Sequence, residues 1–147
     1  MDINWISNCR GEHHNGSTTD GRKKLHMWRE AFGVSGAYFS YQLAVDRKVT
    51  NYLCVAYWGG DHSAFKRDGT LYDRQFAITV DGTLIGEQRI HMNKIGDVFY
   101  VTYDIPEAVT SGKDSVTVMF QAKGDNGCAG KVVEVRTTRS KPESIFS

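Results

Sequence analysis

The chain has little of what most functional signatures require. It holds three cysteines and two prolines in 147 residues. No run approaches the roughly 18–20 consecutive apolar residues that carry a helix across a bilayer. Eighteen lysines and arginines nearly balance seventeen aspartates and glutamates, for a formal charge of +1. That balance leaves no broad field to gather nucleic acid or anionic lipid, so neither nucleic acid nor a membrane is expected as a partner. The one basic cluster, Arg22-Lys23-Lys24, gives way at once to Leu25-His26-Met27-Trp28. It reads as a solvated loop or the start of an edge strand. Met1 to Trp5 show no basic region followed by an apolar stretch, so no signal peptide is expected in this chain.

Catalytic and metal motifs are equally sparse. There is no Gly-x-Ser-x-Gly elbow, phosphate loop, dinucleotide motif, Cys-x-x-Cys or His-x-x-x-His. Glu12-His13-His14 has metal-binding residue types, but adjacent histidines on an extended chain point apart, and the segment reads as surface. No metal or other cofactor is expected. Asp20, Asp125 and Glu134 are candidate oxygen donors for a structural calcium, without the spacing of a calcium loop. Three cysteines leave at least one thiol unpaired within the monomer. Cys54, inside Leu53-Cys54-Val55-Ala56, reads as a small buried residue. Cys9 and Cys128 lie near opposite chain ends, where a bridge between them and two free thiols are both readings.

What the chain does have is alternation. Phe39, Tyr41, Leu43 and Val45 share one face of a strand-like run, with Ser40 and Gln42 on the other. Tyr52 to Trp58 is apolar on both faces and suits a central strand. Phe76, Ile78 and Val80 lead into Asp81-Gly82, a pair that favours a two-residue hairpin turn, and the return strand is Thr83 to Ile90. Phe99, Val101, Tyr103 and Ile105 form another face, closed by Pro106 and the Ser111-Gly112-Lys113-Asp114 turn. Val116, Val118 and Phe120 mark the next strand, and Val133 with Val135 the last. Leu25 to Phe32 is a first strand, with a short helix as the alternative. Residues 1–21 are polar and turn-rich and predict an extended entry with little regular structure. Lys141-Pro142-Glu143-Ser144 predicts a tail.

Seven or eight strands with no long helix predict an all-β fold, a two-layer antiparallel β-sandwich or jelly roll. The expectation is a single domain over 1–147, its ordered core at about 22–139. Such a scaffold carries function in loops or on an exposed face. The most suggestive tract is Tyr57-Trp58-Gly59-Gly60-Asp61-His62, which ends a strand and opens a long loop. Aromatic rings stack on sugars while Asp, Arg and His hydrogen-bond hydroxyls. Trp28, Arg29, Trp58, Asp61, His62 and Arg74 are therefore the candidate carbohydrate-binding residues, and no catalytic residue is assigned. The competing reading makes Trp58 a core cap and the loop plain surface.

Several segments in order resemble the C-terminal β-sandwich domain of bacterial β-L-arabinofuranosidase-like glycoside hydrolases. They include Gly36-Ala37-Tyr38-Phe39-Ser40-Tyr41, Tyr57-Trp58-Gly59-Gly60-Asp61, Arg74-Gln75-Phe76-Ala77-Ile78-Thr79-Val80-Asp81-Gly82 and Asn93-Lys94-Ile95-Gly96-Asp97-Val98-Phe99-Tyr100. With Tyr103-Asp104-Ile105-Pro106, Val116 to Ala122 and Ala129 to Arg136, the set covers roughly residues 21–139. The resemblance implies a galactose-binding-like jelly roll accessory to a helical-barrel hydrolase acting on plant-type glycans. Catalysis in that family belongs to the barrel, so the three cysteines inherit no catalytic role. His62 to Asp73 is longer than the family's usual loop.

The expectation is thus a non-catalytic accessory domain that stabilises or orients the catalytic domain of a glycoside hydrolase. The first alternative is a carbohydrate-binding module with a site near Trp58. The second is a small stand-alone hydrolase using Asp61-His62. A periplasmic or extracellular location follows from the resemblance alone.

Overall fold

A computed structural model describes residues 6–61, 63–65 and 69–140. Among the described residues twelve strands and one short helix follow in chain order: β1 (Ile6–Arg10), β2 (Glu12–Thr19), β3 (Leu25–Phe32), β4 (Tyr38–Ala44), β5 (Asn51–Trp58), β6 (Ser63–Phe65), β7 (Leu71–Asp73), β8 (Gln75–Val80), β9 (Thr83–Arg89), β10 (Val98–Ile105), α1 (Glu107–Thr110), β11 (Ser115–Ala122) and β12 (Ala129–Thr138). Two five-stranded antiparallel sheets carry the fold. The first has the order β1-β4-β11-β8-β9 and the second β10-β5-β12-β3-β2; β6 and β7 form a separate pair. The all-β sandwich predicted from alternation is the architecture observed.

The core is the sum of the inward faces. Phe39, Tyr41 and Leu43 of β4 meet Phe76, Ile78 and Val80 of β8 and Val116, Val118 and Phe120 of β11; Leu53, Val55 and Tyr57 of β5 oppose them. Phe39 and Phe120 stack with ring centroids 5.3 Å apart. Each inward side chain buried there contributes roughly 1.5–3 kcal/mol. Asp81 and Gly82 both take positive φ, 47° and 83°, as the predicted hairpin turn requires.

Three expectations need correction. The polar entry is not irregular: β1 pairs with β4 and β2 with β3, so regular structure begins well before residue 22. These are sheet-edge strands, where backbone ladder bonds suffice and an apolar face is not needed. Between Pro106 and Ser111 the chain makes the single helical turn α1 rather than passing directly into the 111–114 turn. In β12 the core residues are Val132 and Val135, not the pair Val133 and Val135. A register shift between Val132 and Glu134 is the cause, since one extra residue reverses the alternation. The predicted Lys141–Ser144 tail lies outside the described residues.

No disulfide joins Cys9 to Cys128: Cys9 is exposed and free, and Cys54 and Cys128 are buried and free. His13 and His14 do point apart, His13 towards Phe39 and His14 stacked on Phe32 at 5.0 Å. Among the described residues no group of three His, Cys, Asp or Glu side chains converges as a metal site. Of the calcium candidates, Asp20 binds His26 and two backbone amides, Glu134 pairs with Arg136, and Asp125 is exposed.

Candidate functional site

The side chains that the sequence singled out gather where the C-terminal end of β5 meets the beginning of β12 and the second half of β3. Register places Arg29 and Tyr57 on either side of Val132. Alternation along β3 then sends Trp28 and Glu30 to one face and Arg29 to the other. Arg29 turns inward, hydrogen-bonding Tyr41 of the opposite sheet and so offsetting part of the rise that burial imposes on its phenol. Arg29 therefore does not join Trp28.

Trp28, Asp61 and Arg74 do come together, through a residue the sequence reading missed. Lys131 Nζ lies 4.3 Å above the centroid of the Trp28 ring and 2.6 Å from Asp61 Oδ2. The same carboxylate oxygen is 3.6 Å from the Arg74 guanidinium. Arg74 is 3% exposed and donates to Glu30 Oε1 at 2.7 Å, to the Gly130 carbonyl at 3.3 Å and to Cys128 Sγ at 3.5 Å. Burial works against the Arg74 charge, but the carboxylates of Glu30 and Asp61 outweigh it and hold the guanidinium protonated. The Cys128 thiol is pushed up to about 12, chiefly by burial, and stays neutral. A sunken Arg74–Glu30 pair thus underlies a partly exposed Asp61–Lys131 pair beside an indole.

The backbone holds this arrangement in place. Gly16 is the cross-strand partner of Trp28, and a Cβ built there would lie 2.6 Å from the indole Cζ2, so only glycine lets the ring lie across β2. The tract after β5 is tied to the 91–97 loop: Gly59 N–H donates to the Asp97 carbonyl at 2.9 Å, Lys94 N–H to Gly59 at 3.1 Å, and Met92 N–H to Asp61 at 2.8 Å. Asp61 is fixed at both backbone and side chain.

Trp58 borders this rim, its indole Nε1 lying 3.0 Å from where a Cβ on Gly60 would be. It ends β5 on the outer face of the second sheet, 7% exposed, with the His26 ring 6.4 Å away. His26 is itself buried and bonded to Asp20 at 2.8 Å. That bond, with the amides of Lys24 and Arg22, holds the Asp20 carboxyl down to about 2. His62 lies outside the described residues. Lys131 and Glu30 escaped the sequence reading because their partners are remote: Lys131 is about a hundred positions from Trp28. No spacing signal records such a contact.

No curated protein matches this chain. Its fold is similar to that of a family 35 carbohydrate binding module from an environmental isolate, with a TM-score of 0.59, 13% identity, and 96% of this chain and 95% of that one covered. It is similar also to CBM35 from Paenibacillus barcinonensis, with a TM-score of 0.56, 10% identity and coverage of 95% and 100%. A family 35 module from Clostridium thermocellum gives a TM-score of 0.52 at 10% identity, covering 87% and 88%. At such identities the likeness is one of fold. A family model matches residues 11–138, and the chain belongs to that family, the family of unknown function DUF6805.

Proposed function

We propose that this domain is a non-catalytic carbohydrate-binding module whose binding rim is formed by Trp28, Lys131 and Asp61. The observation that carries the reading is the Asp61–Lys131 pair at 2.6 Å beside the Trp28 indole. A sugar offers apolar C–H faces and hydroxyls that both donate and accept. An indole beside one carboxylate and one ammonium supplies the matching set. Arg74 and Glu30 beneath the rim act as positioning residues, because a group locked by buried ion pairs loses little freedom on binding.

The fold shared with family 35 carbohydrate binding modules supports this reading over a purely stabilising role beside a catalytic domain. Its setting, on our reading, is a secreted polysaccharide-degrading enzyme, with plant-type glycans as ligands, as the resemblance implies.

A printed array of plant cell-wall oligosaccharides tests the proposal. Wild-type protein is expected to bind a defined subset, and the Trp28→Ala and Lys131→Ala variants to lose that signal while keeping their melting temperature. Retained binding in both variants would place the function elsewhere.

A further inference from the structure

The outer face of the first sheet is uncharged at its centre, while that of the second is not. Alternation turns Phe39, Phe76, Val118 and Phe120 into the core, so their strand neighbours point outward. Tyr38, Ser40, Ala77, Thr79, Met119 and Gln121 thereby form one patch across β4, β11 and β8. By contrast, β12 alone gives the outer face of the second sheet Glu134 and Arg136 beside Lys131. Leu84, exposed and paired with Thr79, carries the patch onto β9. The polar atoms of the patch are largely satisfied from within. Gln121 Nε2 donates to the Gly36 carbonyl at 3.2 Å, Asn8 Nδ2 to the Tyr38 hydroxyl at 3.3 Å and Ser40 Oγ to the Asn8 carbonyl at 3.4 Å. Covering this face therefore costs little desolvation.

Charge stands at the borders, which is the anatomy of a protein interface. Arg47 pairs with Asp114 and Lys113 with Asp81 at one end of the strands, and Arg89 with Asp73 at the other. One row crosses the whole sheet from β1 to β9: Arg10–Tyr38–Gln121–Ala77–Glu87. Its two ends are opposite in charge. Lys123 Nζ takes Glu87 Oε2 and leaves Oε1 for a second cation. Arg10 is exposed and makes no ion pair among the described residues. The central strand of the five is β11. A two-fold axis laid along it stacks a second copy face to face, keeps each row level and exchanges the edges. Arg10 of each copy then meets Glu87 of the partner subunit, and Met119 meets its own counterpart. Stacked sheets sit about 10 Å apart with their strands roughly aligned, as this symmetry requires. Five strands about 4.8 Å apart and about 20 Å long offer about 500 Å² per copy, the lower end of specific interfaces. Association through it is weak and reversible.

We infer that the outer face of the first sheet docks a second copy of this chain, as a reversible two-fold dimer in which Arg10 of each copy pairs with Glu87 of the other. The Trp28 rim belongs to the opposite sheet, so the dimer leaves both rims open and pointing away from each other. The interface does not depend on what the rim binds.

The test is sedimentation velocity of the whole chain, in reductant so that the exposed Cys9 cannot bridge copies. The average mass is expected to rise from 16.5 kDa towards twice that between about 10 µM and about 1 mM, the range of a weak interface. Met119→Lys sets two ammonium groups against each other on the axis and is expected to weaken association tenfold or more. Arg10→Glu and Glu87→Arg, both at exposed positions, each place like charges at both ends of the row and are expected to weaken it as much. Mixed in equal amounts, these two variants are expected to associate with each other, because every end contact in the mixed dimer is opposite in charge. A chain that stays monomeric at about 1 mM overturns the inference and leaves the face to a different protein or domain. The inference also fails if Met119→Lys dimerises like wild type, or if either charge variant alone associates as well as the mixture.

Discussion

Gly16 and Trp28 face each other across β2 and β3 so closely that a Cβ on Gly16 would lie 2.6 Å from the indole. The ring occupies the space that a side chain would fill. Replacing Gly16 with alanine must therefore push the indole off β2 and away from Lys131. Overpacking of this kind costs about 1–3 kcal/mol. The expected result is a shifted tryptophan emission maximum and roughly tenfold weaker glycan binding, from a residue that itself offers a ligand nothing. An unchanged spectrum and affinity would mean the ring's position is not set by Gly16.

Arg74 and Glu30 are both almost fully buried, at 3% and 6% exposure. Removing the cation alone, as in Arg74→Met, leaves a carboxylate inside the protein without its main partner and is expected to cost about 3–5 kcal/mol. The double variant Glu30→Gln/Arg74→Met removes both charges and should lose distinctly less than the sum of the two singles. Urea unfolding of the four proteins measures the coupling, and simple additivity would contradict it.

The Asp20–His26 bond predicts a pH dependence. The Asp20 carboxyl is held at about 2, below its ordinary 3.8, first by His26 and then by the Lys24 amide. A lowered folded-state value means the stabilisation is complete above about pH 4 and fades as the pH falls towards 2. Wild type minus Asp20→Asn, compared by calorimetry, should show a melting-temperature gap that is constant above pH 4 and narrows below it. A gap that widens on acidification would have the wrong sign.

Thiol chemistry separates the three cysteines. Cys9 is exposed, whereas Cys54 and Cys128 are buried, and Cys128 is further protected by a thiol held at about 12. Only the thiolate attacks alkylating reagents. One fast-reacting thiol is expected in the native protein and three after unfolding without reductant. Two missing thiols after unfolding would reveal a disulfide.

Legibility followed the range of the interactions. Alternation within a single strand gave Phe39, Tyr41 and Leu43, and Phe76, Ile78 and Val80, their shared faces, because burial on one side of a sheet has a period of two. Edge strands β1 and β2 carry no such period, so Asn8 to Thr19 read as loop although their backbones are paired. The shift between Val132 and Glu134 was invisible, since a bulge is a property of two strands and not of one. At the rim, Trp28, Asp61 and Arg74 were picked for their chemistry, and the structure brings them together; Arg29 was picked with Trp28 by adjacency, and adjacency on a strand guarantees opposite faces. Lys131 and Glu30 gained their roles only when β12 and β3 paired.

Isothermal titration of the whole chain with the oligosaccharide that gives the strongest array signal tests the central claim most directly. The account predicts saturable binding that weakens at least tenfold in Trp28→Ala and in Asp61→Ala, with melting temperatures close to wild type. Equal affinity in both variants, or no heat of binding to any neutral plant oligosaccharide, would contradict it.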